Sequence, residues 1–315
     1  PPAAAAAAQD KLAMRQAMWR AGLPTPPFQG LTMDADPAQA GRKMIYPAVL
    51  KPTFLSASRG VIRVEDEAEF TVAFRRIKRM IRPLRPSGVP AVPILAEGYI
   101  PGNEVALEGL LSDGWLQRLA IFDKPDPLEG PYFEETIYVT PSRMPASRQE
   151  AAWGCAERAA AALGLRHGPI HAEVRLNPSG AWLLEVAPRS IGGWCSRALR
   201  FDSQMSLEEL ILRHALGQEV RGYQREPAAS GILMIPIPGA GFLEKVAGLE
   251  RARAIEAIDD IRLAVPLGSR VDPLPEGGRY LGFGFARAKT PQEVEDALRR
   301  ARSSLVVSIS DTHPG

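Results

Sequence analysis

Apolar positions recur along the chain with helical and strand periods in turn. Residues 9–21 set Leu12, Met14, Ala17 and Met18 on one helical side, and Gly22 with Pro24-Thr25-Pro26-Pro27 ends that helix. The apolar run 46–51, stopped by Pro52, predicts a strand. A small-residue loop at 54–60 leads to a second strand at 61–64, and the charged amphipathic stretch 65–82 predicts a helix. After a proline-rich break at 83–93, residues 94–100, 104–111 and 115–122 read as strands, the first two joined by Pro101-Gly102-Asn103. Residues 122–138 are irregular, polar and aromatic, the composition of a loop over a site. A helix at 147–163, a hairpin at 170–187 and a helix at 206–216 follow. The polar stretch 218–230 reads as a linker to a smaller α/β unit, with strands at 232–237, 261–265 and 280–285 and a helix at 291–301.

Length and composition fit an ordinary globular protein of about two domains: 315 residues, 45% hydrophobic and 23% charged. With 38 Lys and Arg against 36 Asp and Glu, the net charge of +2 gives no reason to expect nucleic acid or membrane as a partner. The basic run Arg75-Arg76-Ile77-Lys78-Arg79, with Arg82 and Arg85, reads as a solvated helix face. Cys155 and Cys195 lack metal spacing and a disulfide framework, which fits a reducing cytoplasm. No apolar run is long enough to span a bilayer. Apart from the opening alanines there is no low-complexity segment. That opening lacks the regions of a signal peptide and an initiating Met, so the chain is expected to be a piece of something longer.

The segment His171-Ala-Glu-Val-Arg-Leu-Asn-Pro-Ser-Gly-Ala-Trp-Leu-Leu-Glu185 is the most informative. A three-residue turn at Pro178-Ser179-Gly180 makes Asn177 face Ala181 and, by counting back, Glu173 face Glu185. Like charges so paired repel and need compensation. A hard divalent cation would supply it; two exposed carboxylates on a solvated hairpin is the alternative. Arg189, four residues on, is placed either to neutralise a phosphate or oxyanion by a forked contact or to serve a structural ion pair. Lys51 ends an apolar strand, where a cation either meets an anion at the strand's edge or snorkels to solvent. The hydroxyl-rich loop after it could lay amides on phosphate. In Glu97 to Glu104, an extended segment could meet an adenine edge and a carboxylate the ribose, though charges flanking a turn are common. There is no Walker loop and no dinucleotide glycine fingerprint.

Taken in order, these segments resemble the ATP-grasp superfamily, from about residue 11 to residue 217. Lys11 looks like the first phosphate lysine and Lys51 the second, with Ser56, Ser58, Arg59 and Gly60 in the phosphate-covering loop. Glu97, Tyr99 and Ile100 match the adenine hinge and Glu104 the ribose carboxylate; Lys124 joins the nucleotide set. Glu173 and Glu185 match the two metal glutamates, and Arg189 the arginine near the transferred phosphate. The resemblance implies an α+β fold: an ATP-grasp domain over residues 1–225, with a lid at about 23–93, and a C-terminal domain over 226–315 similar to that of L-amino-acid ligases. The motifs Gly130-Pro-Tyr-Phe133-Glu134-Glu135 and Glu185-Val-Ala-Pro-Arg-Ser-Ile-Gly-Gly193 look like the L-amino-acid ligase and carbamoyl-phosphate-synthetase-like branch, and mark Glu135, Ser190, Gly192 and Gly193 as substrate contacts.

The implied reaction is amide or peptide bond formation through an acyl phosphate, from a small carboxylate and an amine, with ATP and magnesium or manganese. A carboxylating or purine-pathway ATP-grasp enzyme, or a non-catalytic ATP-binding module, is the alternative. Two departures stand out. Ala187 replaces an Asn metal ligand that many members carry, and the phosphate loop is rich in Ser and Ala rather than Gly, which implies a stiffer lid. Members usually carry an N-terminal α/β domain upstream of the segment that starts here, so the isolated chain is expected to bind magnesium–ATP with little turnover. A cytoplasmic setting and a homodimer are compatible with the resemblance.

Overall fold

The computed structural model describes residues 1–84 and 91–312. Arg85 and residues 85–90 of the proline-rich break lie outside the described residues. The opening alanines form a helix, α1 (Pro2–Gln9), as their high helical propensity favours, and bury Ala4 and Ala8. Asp10 then caps α2 (Lys11–Arg20) by accepting the amides of Leu12 and Ala13.

A small antiparallel sheet follows, built from β1 (Phe28–Leu31), β2 (Ala48–Pro52), β3 (Ile62–Val64) and β4 (Ile94–Gly98) in the order β1-β4-β2-β3. Two helices accompany it, α3 (Pro37–Gly41) and α4 (Glu67–Ile81), and α4 buries Phe70, Phe74, Ile77 and Ile81 in the core it shares with these strands. Its basic positions Arg75 and Arg79 are exposed, as the period predicts, while Arg76 is half-buried.

The next elements are β5 (Asn103–Ser112), β6 (Trp115–Asp123), β7 (Ile137–Thr140), α5 (Ala146–Leu163), β8 (Gly168–Asn177), β9 (Gly180–Ala187), the short β10 (Arg200–Phe201) and β11 (Met205–Ser206), and α6 (Leu207–Ala215). The chain continues through β12 (Ala229–Ile235), β13 (Gly241–Ala247), α7 (Leu249–Arg253), β14 (Ile258–Leu263), β15 (Arg270–Val271), β16 (Gly282–Ala288), α8 (Pro291–Ser304) and β17 (Val306–Ser310). Eight of these strands make one antiparallel sheet, ordered β14-β16-β12-β7-β6-β5-β8-β9; β15-β13-β17 form a smaller one. The strands after residue 226 therefore add to the same large sheet.

Successive side chains alternate between the two faces of that sheet. One face packs on α5 behind β8 and β9 and on α8 behind β7, β12 and β16. The other carries residues 104, 106 and 108 of β5, 171, 173 and 175 of β8, Tyr138, Met234 and Phe283.

Two expectations need correction. The stretch 122–138 is not irregular to its end, because the chain re-enters the sheet at Ile137; β7 is too short to show a period and pairs mainly with β12, distant in sequence. The hairpin turn is one residue shorter than expected, with Asn177 paired to Gly180. A bulge between Glu173 and Val174 restores the count, and Glu173 does pair with Glu185.

Candidate active site

A cavity of about 550 Å³ lies between the two sheets, within the usual range for a small-molecule site. On its small-sheet side Lys51, at the end of β2, is buried and pairs with Glu97 of β4 at 2.5 Å. Arg15 of α2 is fully buried; its Nε donates to the other Glu97 oxygen at 2.8 Å, and its Nη1 donates to the Leu183 carbonyl at 2.9 Å. Burial opposes the Glu97 charge, but Arg15 and Lys51 hold that carboxyl below the usual carboxylate range. Burial also pushes Lys51 down, against the pull of Glu97. The loop after β2 carries two non-glycine residues in the left-handed region, Ala57 at φ 55° and Ser58 at φ 53°, a conformation concentrated at functional sites. Lys11 donates to the Leu55 carbonyl of that loop at 2.6 Å and lies 3.3 Å from Glu185.

On the large-sheet side the paired carboxylates Glu173 and Glu185 both line the cavity. Three cations offset the repulsion that the pairing creates: Lys124 at 3.1 Å and His171 at 3.7 Å from Glu173, and Lys11 at Glu185. Lys124 is buried and also meets Glu104 at 2.6 Å and Glu135 at 2.5 Å. Burial raises the Glu135 carboxyl, helped by the Glu173 charge; Glu173 is held well below the ordinary range, against its burial, by Lys124 and His171. His171 binds Glu108 through Nδ1. Although burial opposes the charge, the Glu108 and Glu173 carboxylates raise the imidazole to about 10. Glu108 in turn accepts the Ile191 amide at 3.0 Å. Ala187 faces His171 across the ladder, so the position where many family members carry Asn here meets an imidazolium.

The hinge runs from β4 into β5. The amides of Gly98 and Tyr99 donate to Pro27 and Pro47, each at 2.9 Å, while that of Ile100 makes no hydrogen bond among the described residues. Glu104 pairs with Arg175 at 2.9 Å, and the Arg175 guanidinium lies over the Tyr99 and Phe133 rings. Arg189 is exposed and donates to the Ser190 carbonyl at 2.8 Å, with no ion pair among the described residues.

The structure thus gathers Lys11, Lys51, Ser56, Ser58, Glu97, Tyr99, Ile100, Glu104, Glu135, Glu173, Glu185, Arg189, Gly192 and Gly193 around one cavity. Four residues expected at the site lie off its lining. Lys124 sits behind the carboxylates, Ser190 turns its carbonyl to Arg189, and Arg59 lines a neighbouring cavity. Gly60, at φ +73°, donates its amide to Pro275 at 2.9 Å. Segment 272–279 is fastened to the small sheet by that bond, by Arg59 on the Glu276 carbonyl at 2.9 Å, and by Arg76 on both Glu276 oxygens at 2.6 and 2.8 Å. Arg15, Glu108, His171 and Arg175 were missed from sequence. Residues 171, 173 and 175 alternate as titratable side chains on one strand face, the signal that would have found two of them.

A two-sheet grip around one cavity, with lysines on one side and paired carboxylates on the other, defines a nucleotide-holding fold. Comparison with known proteins agrees. The ATP-grasp domain profile matches residues 44–198, and that of the L-amino acid ligase C-terminal domain 2 matches residues 233–310. An L-amino acid ligase structure from Bacillus licheniformis superposes with a TM-score of 0.84 at 28% identity, covering 98% of this chain and 75% of that one. Alanine–anticapsin ligase of Bacillus amyloliquefaciens is 30% identical over 206 residues, 61% of this chain and 43% of its own length. D-alanine–D-alanine ligase of Stutzerimonas stutzeri is 29% identical over 190 residues, 58% of this chain and 56% of its own. The chain thus spans about half the length of these curated relatives. It belongs to the ATP-grasp superfamily. Its C-terminal region places it among proteins of the L-amino-acid ligase type.

Proposed function

We propose that this chain forms the ATP-binding and catalytic body of a carboxylate–amine ligase that makes an amide or peptide bond through an acyl phosphate. The observation that carries the reading is the pairing of Glu173 with Glu185 on a cavity that Lys11, Lys51 and Arg189 also line. Two facing carboxylates suit magnesium or manganese, which is commonly held by one or two carboxylates together with substrate phosphates. When bound, that ion supplies charge neutralisation for phosphoryl transfer. Lys11 and Lys51 neutralise phosphate oxygens, the free Ile100 amide meets the adenine edge, and Glu104 accepts from the ribose. A substrate carboxylate attacks the γ-phosphate and ADP leaves; an amine then displaces phosphate from the acyl phosphate. Arg189, unpaired and exposed, neutralises the charge at the transferred phosphate. Glu135, Gly192 and Gly193 contact the small-molecule substrates, and residues 1–225 and 226–315 act as nucleotide-gripping and acceptor-side units.

The test combines ADP release across acid–amine pairs with hydroxylamine trapping. The expected result is ADP release that depends on the acid, with hydroxamate formed when hydroxylamine replaces the amine. ATP binding without acid-dependent ADP release for any pair would leave a nucleotide-binding module and overturn the ligase reading.

A further inference from the structure

The face of the large sheet that looks into the cavity changes character from strand to strand. Over β9, β8 and β5 it is charged. Over β7, β12 and β16 it is apolar: Tyr138 pairs with Ile232, and Met234 pairs with Phe283. Tyr138, Met234 and Phe283 are almost wholly buried yet line the cavity, as does Cys195 from the segment after β9. That segment lies tight on the apolar half. A Cβ at Gly193, φ +63°, would stand 2.8 Å from the Phe283 ring. The ring of Tyr280 meets Phe283 edge-on at 5.9 Å and closes the same end.

At the border of the two halves stands Glu135. Its Oε1 takes both Lys124 and the Tyr138 hydroxyl, each at 2.5 Å, while its Oε2 makes no hydrogen bond among the described residues. A carboxylate can accept about four hydrogen bonds, so an open acceptor remains beside an apolar wall. A ligand with an ammonium group next to an apolar side chain satisfies both. A charged side chain would be stripped of water against Met234 and Phe283 with nothing to pair it.

Resting on the ligase reading, we infer that one of the two substrates is an α-amino acid with an apolar side chain. Its ammonium binds Glu135, its side chain packs on Met234, Phe283 and Cys195, and Met234 limits the side chain's size. An apolar pocket rewards each added methylene roughly tenfold or more until the pocket is full.

The test uses the full-length protein with alanine, valine, leucine, methionine, phenylalanine, aspartate and lysine. Each is titrated calorimetrically into protein loaded with a non-hydrolysable ATP analogue, and each is assayed for ADP release with a panel of acids and amines. Affinity is expected to rise about tenfold per methylene from alanine toward leucine or methionine, and to be at least a hundredfold weaker for aspartate and lysine. Met234→Ala should move the preference toward phenylalanine and leave the KM for ATP unchanged. Binding of aspartate or lysine equal to leucine overturns the inference, as does an unchanged preference in a folded Met234→Ala protein. ADP release supported only by acids and amines that are not amino acids also overturns it while leaving the ligase reading intact. Selective binding of apolar amino acids without ADP release from any acid–amine pair would sink the ligase reading alone.

Discussion

The two halves of the cavity-facing sheet surface use one backbone pattern for different ends. Over β9, β8 and β5 the inward positions are Glu185, Glu173, His171, Arg175, Glu104 and Glu108, each in an ion pair. Over β6, β7, β12 and β16 they are Phe122, Tyr138, Ile232, Met234, Phe283 and Phe285, which share one apolar core. Burying those rings and chains favours folding at roughly 25 cal/mol per Å² of apolar surface removed from water. The charged half has no comparable driving force, since buried ion pairs recover little beyond their desolvation. Strands therefore divide the labour, and chemistry and stability should respond to different substitutions.

The largest expected effect is in the charged half. Glu185→Gln keeps the shape but removes a metal charge, so magnesium-dependent turnover should fall about a hundredfold or more with the melting temperature close to that of the parent. Full activity with unchanged magnesium dependence would remove Glu185 from the metal site. In the apolar half the converse holds. Phe122 is fully buried, and Phe122→Ala should cost about 3–5 kcal/mol in urea unfolding. A loss below about 1 kcal/mol would mean that this half does not hold the sheet.

The smallest effect tests the charge balance itself. The His171 imidazole is raised from 6.5 to about 10, so it binds its proton more tightly folded than unfolded. Its contribution to stability is therefore complete below about pH 6.5, declines as pH rises, and is gone above about 10. In magnesium-free buffer the stability gap between the parent and His171→Gln should narrow steadily from pH 6.5 to 10. A gap that does not change with pH would show that the Glu108–His171 pair carries no net proton on folding.

Much of this was legible before any coordinates. The amphipathic helices α4, α5, α6 and α8 and the hairpin of β8 and β9 carry strong local periods and stand where those periods put them. The strands β1, β7, β13 and β17 do not, because they are short or carry charge in mid-strand, as β13 does at Glu244 and Lys245, and their partners lie far along the chain. The facing of Glu173 and Glu185 was reached with the wrong turn, and a bulge at the glutamates cancelled the error. Lys51 at a strand end was visible, but its partner Glu97 lies on β4 and its companion Arg15 on α2. Lys124 illustrates the limit. Three carboxylates from β5, β8 and the loop before β7 converge on it, and only the strand order brings them together.

The fastening of segment 272–279 over the phosphate loop has a kinetic consequence. Arg76 and Glu276 are both partly exposed to solvent, and a pair so placed is typically worth about 0.2–1 kcal/mol. The two hydrogen bonds beside it, from Gly60 and Arg59, add about 0.5–1.5 kcal/mol each. A barrier to parting assembled from so few contacts is a matter of a few kcal/mol, against the 5–15 kcal/mol that hold a typical domain together. At that difference the parted form is a standing minority of roughly 0.1–10% of molecules. Nucleotide then enters through a door that swings on its own, and the strength of three polar contacts sets how long it stays shut.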